Sequence, residues 1–112
     1  MSVPRLKAWI WVQAQVMACN RLAIPSTVVK KGHKEAGAIL LKLNRGMAGC
    51  EVLSQVRDAA GDLAWFRSTG PDLVVEADAD ALIGRELSFD PDLWVIEIED
   101  PKGLYELDGA LI

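Results

Sequence analysis

The chain has 112 residues, 51% of them apolar and 25% charged, with a net charge of −4. This length and balance fit one domain with its own hydrophobic core and exclude an intrinsically disordered chain. No window of about 18 residues is uniformly apolar, so a membrane-spanning helix is excluded as well.

Taken in chain order, Arg5 to Ala23 carries a helical pattern: Trp9, Val12, Val16, Cys19 and Ala23 repeat at spacings of three and four. Leu6, Ile10, Ala14 and Met17 form a second stripe beside it, and Trp11, Ala18 and Leu22 lie on a third side. A helix apolar nearly all round is expected to be buried on more than one face, under its own sheet or against a partner. Val16-Met17-Ala18-Cys19 loosely matches a lipoprotein cleavage box, but Gln13 and Gln15 interrupt the would-be signal core. Residues 1–23 are therefore expected to belong to the folded domain.

Pro25 ends the helix, and the β-branched run Ser26 to Lys31 reads as a strand. Gly32 to Gly37 is a polar turn, and Ala38 to Asn44 a second strand with Ile39, Leu41 and Leu43 on one face. After the turn Gly46–Gly49, Glu51 to Asp58 and Leu63 to Ser68 read as a third and a fourth strand. Short loops between strands favour antiparallel neighbours, because parallel ones need long crossovers. Gly70-Pro71 breaks the sheet. Ala79, Leu82, Ile83 and Leu87 space as an amphipathic helix, with Asp78 and Asp80 at its positive end. Leu93 to Glu99 is a fifth strand, followed by the turn Asp100–Gly103 and a tail with room for a short edge strand. The expected fold is α+β: one domain over residues 1–112, with an N-terminal helix, a four-strand antiparallel meander, a second helix and a fifth strand.

The charge is unevenly spread. Residues 1–57 hold nine Lys/Arg against Glu35 and Glu51, a net +7, and residues 58–112 hold three Lys/Arg against fourteen Asp/Glu, a net −11. Either the molecule has a basic and an acidic face, or basic and acidic strands pair in one sheet. The basic segment Lys30, Lys31, Lys34, Lys42 and Arg45 gives a nucleic-acid reading, a hairpin whose cations meet phosphates. No aromatic residue on it supplies a stacking platform, so nucleic acid is not the expected partner. Glu97 and Glu99 share one face of the fifth strand, about 7 Å apart. With Asp92 they raise a metal-dependent hydrolase reading, against the plainer one of acids turned to water. His33 is the sole histidine and is expected in a solvated turn, which leaves no histidine cluster for a metal. Cys19 and Cys50 lack a CxxC spacing and are expected as two buried thiols. No serine sits in a nucleophile elbow, and no glycine pattern matches a phosphate loop.

Two stretches, KKGHKEAGAILLKLNR at 30–45 and FDPDLWVIEIED at 89–100, together with the Ile10-Trp11-Val12 helix, carry a resemblance over nearly the whole chain. They resemble a family of small alphaproteobacterial proteins known only as a domain of unknown function. The resemblance implies a free-standing intracellular domain and supplies no activity, cofactor or catalytic residue. The expectation is a non-enzymatic cytoplasmic interaction domain without cofactor or membrane, self-associating as a homodimer through Trp11, Ala18 and Leu22.

Overall fold

The structure, a computed structural model, describes residues 6–112; residues 1–5, expected to lead into the first helix as part of the domain, lie outside the described residues. The chain runs α1 (Ala8–Arg21), β1 (Ser26–Lys30), β2 (Ile39–Asn44), a 3-10 turn (Gly46–Ala48), β3 (Cys50–Arg57), β4 (Leu63–Arg67), α2 (Glu76–Phe89), β5 (Trp94–Glu99) and β6 (Ala110–Leu111). Nearly every element lies where the residue pattern puts it. Their assembly differs.

The strands do not form a four-strand meander. They make one six-stranded mixed sheet in the order β1-β5-β2-β3-β4-β6. β5 is inserted between β1 and β2, antiparallel to β1 and parallel to β2, with Ile39 opposite Trp94 and Asn44 opposite Glu99. β6 is parallel to β4. The reason lies in the two faces of each strand. β5 buries Trp94, Ile96 and Ile98 on one face and Val95 on the other, and β2 buries Ile39, Leu41 and Leu43 opposite Leu40 and Lys42. Strands apolar on both faces belong in the middle of a sheet. β1 buries one face only, leaves Thr27 and Val29 exposed, and takes the edge.

The helices cover opposite faces. α1 packs Ala8, Trp11, Val12 and Cys19 on Leu41, Leu53, Trp65, Ile96 and Ile98. α2 packs Ala79 and Ile83 on Leu40, Cys50, Val52 and Val95. The result is three layers with two cores that share the central strands. The two thiols are free, buried, and on opposite faces of the sheet. Among the described residues, no helix is long and apolar enough to cross a membrane.

Candidate functional site

The two stretches that carry the family resemblance meet in the middle of the molecule. Lys30 Nζ donates to the carbonyls of Pro91 at 2.5 Å and Leu93 at 3.4 Å, the His33 amide donates to the Asp92 carbonyl at 2.9 Å, and Trp94 Nε1 donates to the His33 carbonyl at 2.8 Å. Gly32 and Gly37 let the loop lie this close: a Cβ on either would fall 2.1 Å or 2.5 Å from the Asp92 carbonyl oxygen. His33 Nδ1 accepts the Ala36 amide at 3.1 Å. The histidine therefore closes its own turn. That turn in turn supplies the carbonyls of Lys34 and Glu35 to the first amides of α1, at 3.1 Å and 3.3 Å, so the helix starts without a capping side chain.

Beyond this junction, on the α2 side, lies a polar cluster built around a buried lysine. Lys42, 5% exposed, interrupts the apolar run of β2. Its ammonium contacts Glu76 at 2.7 Å, Asp80 at 2.8 Å and Glu97 at 3.5 Å. Asn44 Nδ2 bridges Glu76 and Glu97 at 3.2 Å and 3.1 Å. Burial alone would lower the lysine's affinity for its proton. The hydrogen bonds to Asp80 and Glu76 and the charge of Glu97 outweigh it, and the pKa rises above the ordinary lysine value. A lysine held as ammonium offers no nucleophilic amine at neutral pH. Burial likewise pushes the Cys19 and Cys50 thiols up, away from the thiolate that redox or nucleophilic chemistry needs.

On the other side, Asp100, 2% exposed, organises the C-terminal segment. Its carboxylate accepts the amides of Leu104 and Tyr105 at 2.8 Å and 2.9 Å and the Arg45 guanidinium at 2.8 Å. Burial works against the charge, but these donors prevail and hold the carboxyl below its ordinary value. The segment then crosses α1. Tyr105 Oη donates to Gln15 at 2.7 Å, and Trp11 Nε1 donates to Asp108 Oδ2 at 3.0 Å. Beside Asp108, the start of α1 and the β3–β4 hairpin enclose an open cleft of about 1050 Å³ with a mixed lining that includes Lys7, Gln55, Arg57 and Leu63.

The structure disperses the residues singled out from sequence. Residues 30–45 are no hairpin, because β5 separates β1 from β2. Of its cations, Lys30 is tied to backbone carbonyls, Lys42 is buried among acids, and Arg45 pairs with Asp100 and Glu51; Lys31 and Lys34 are exposed. These five cations therefore do not line up as one basic strip for phosphates. Glu97 and Glu99 do share the α2 face, but Glu97 is engaged by Lys42 and Asn44 while Glu99 and Asp92 are exposed. Among the described residues, no group of three or more His, Cys, Asp or Glu is arranged to hold a metal ion.

Trp11, Ala18 and Leu22 do not share an outward side either. Trp11 is buried, with its ring 5.4 Å from that of Trp65, because the C-terminal segment folds over it. Ala18 is half-buried and Leu22, at the helix C-cap, is exposed. The outward face of α1 is instead the second stripe: Leu6, Ile10, Ala14 and Met17 are all exposed.

Asp100 and Asp108 carry more of the structure than sequence reasoning credits. The available signals are the Asp-Pro-Lys-Gly turn for the first and Asp108-Gly109 for the second. Lys42 has a signal too, as the one charge inside Ile39–Leu43.

Comparison with known proteins bears on the whole chain. Residues 6–108 match the family described as "Protein of unknown function (DUF1491)". The chain is similar to a DUF1491 family protein from Caulobacter crescentus CB15, at 31% identity over 96% of this chain and 100% of that one, with a TM-score of 0.84 to its crystal structure. The NMR structure of a DUF1491 family protein from the same organism gives 0.83, also at 31% identity, over 98% and 99% of the two chains. A protein from A. tumefaciens is similar at 26% identity over 86% of each chain, with a TM-score of 0.73. Among curated proteins there is no match. Match length and structural agreement together place the chain in the DUF1491 family, a family of unknown function.

Proposed function

We propose that this protein is a non-enzymatic cytoplasmic interaction domain that self-associates as a homodimer through the outward face of α1. The observation that carries the reading is the stripe Leu6, Ile10, Ala14 and Met17, which nothing among the described residues covers. Leu6, just before the helix, is 59% exposed and Met17 55%, while the opposite face of the helix is already packed on the sheet. A contiguous apolar strip of this kind is what soluble monomers usually avoid. A two-fold contact covers it with a single surface, since the same residues serve both subunits. The buried amine and thiols, all held in their least reactive protonation states, support a role without chemistry of their own.

Light scattering tests the reading. Wild type is expected at dimer mass at tens of micromolar, and an Ile10→Glu, Met17→Glu variant at monomer mass with an unchanged circular dichroism spectrum. A monomeric wild type under the same conditions overturns it.

A further inference from the structure

The C-terminal segment behaves as a peptide laid into a groove. After Asp100 it runs antiparallel to α1, turns at Gly109, and returns beside β4 as β6. Three features of the groove read the segment in different ways. First, two indole N–H groups converge on one residue: Trp11 Nε1 donates to Asp108 Oδ2 at 3.0 Å, and Trp65 Nε1 to the Asp108 carbonyl at 2.7 Å. Both rings are buried, so an occupant that failed to supply these acceptors would leave two enclosed donors without partners.

Second, the next position admits glycine alone. Gly109 has φ +108°, and a Cβ there would lie 2.9 Å from the Leu63 carbonyl oxygen and 3.2 Å from Trp65 Nε1. Third, the remainder is held by backbone. Ala110 and Leu111 pair with Ala64 and Trp65, and the Ile112 amide donates to the Trp65 carbonyl at 3.0 Å, while all three side chains stay exposed. This is recognition by strand addition, with one anchoring pair that sets the register.

We propose that the groove between α1 and the edge of β4 is a docking site for an extended peptide segment in which aspartate is followed directly by glycine, and that residues 104–112 occupy it in cis as a displaceable strap. Tyr105 and Leu107 pack on the α1-side core, but Leu104, Leu111 and Ile112 are exposed, so the strap is held by few apolar contacts. Segments of that kind open locally before the core does. The open cleft lined by Trp11, Leu63 and Asp108 adjoins this groove. The inference is independent of the α1 stripe. Loss of the helix-face dimer leaves it standing, and its failure leaves that dimer standing.

The test uses the full chain and a fluorescein-labelled synthetic peptide spanning residues 104–112. A Gly109→Val variant cannot seat its own strap. It is expected to bind the peptide about tenfold or more tightly than wild type does, because in wild type the tethered segment competes at an effective concentration of about millimolar. The same peptide carrying Gly109→Val is expected not to bind. Equal binding by both proteins, or binding that ignores the peptide's glycine, overturns the proposal. Hydrogen exchange on wild type supplies an arm that does not depend on the variant's folding. Amides of residues 104–112 are expected to exchange well ahead of those of β5, and exchange at the β5 rate makes the segment ordinary core and overturns the proposal.

Discussion

Lys42 shows what a single charge does when the sheet closes over it. Among the described residues its ammonium is the only cation paired with Glu76, Asp80 and Glu97, so removing it leaves three carboxylates facing one another. Breaking a fully buried pair costs about 3–5 kcal/mol. Here Glu76 and Asp80 are more than half exposed and solvent screens them. Lys42→Met is therefore expected to cost about 2 kcal/mol in chemical denaturation. The pH dependence follows from the raised pKa. A group that holds its proton more tightly when folded contributes fully below its unfolded pKa and loses that contribution as pH rises through the folded value. The gap between wild type and variant is accordingly expected to stay constant through neutral pH and to close only in strongly alkaline buffer. A gap that narrows between pH 6 and pH 8 contradicts the assignment.

At the scale of the element, the end of α1 is informative because it stops on the wrong residue. Ala23 adopts φ +56°. The Ala23 amide donates to the Asn20 carbonyl at 3.1 Å and the Ile24 amide to the Cys19 carbonyl at 2.9 Å, which is the Schellman arrangement. Ile24 and Cys19 both lie in the α1-side core, the apolar contact that usually accompanies this motif. A left-handed conformation costs an L-residue about 1–2 kcal/mol, and glycine avoids that strain while giving back part of the gain as chain entropy. Ala23→Gly is expected to stabilise the domain by about 0.5–1 kcal/mol, seen as a rise of several degrees in the thermal midpoint. An unchanged or lowered midpoint would mean that the turn is not strained.

At the scale of the whole molecule, two cores share one set of strands. β2, β3 and β5 each contribute side chains to both faces, and the junction between residues 30–45 and 89–100 ties the loop before β2 to the start of β5. Neither helix can leave without exposing strands that the other covers. One cooperative transition is expected, with tryptophan fluorescence and far-ultraviolet circular dichroism giving the same midpoint and slope in urea. Trp11, Trp65 and Trp94 all report the α1 side. Separate midpoints would therefore show that the α2 layer unfolds alone.

What the sequence determined by itself is local. Helical spacing in Trp9–Ala23, β-branched runs and glycine-proline breaks identify nearly every element, because those signals depend on neighbours a few residues away. The α+β class and the single domain follow from them, and the resemblance to a family of unknown function agrees with the family match. Strand order was beyond reach. Short loops argue for a meander, yet β5 enters from far along the chain because Val95 and the Trp94, Ile96, Ile98 set need covering on both faces. The placement of the candidate site residues was out of reach for the same reason. Lys30, Lys42 and Arg45 look like one basic patch in sequence, and tertiary structure hands each to a different acceptor: carbonyls, a carboxylate cluster, and Asp100. Trp11 reads as an outward residue until the tail crosses it and Asp108 takes its indole proton in a hydrogen bond. Periodicity tells which side of a helix is apolar. Only the folded chain decides which apolar side is left in water.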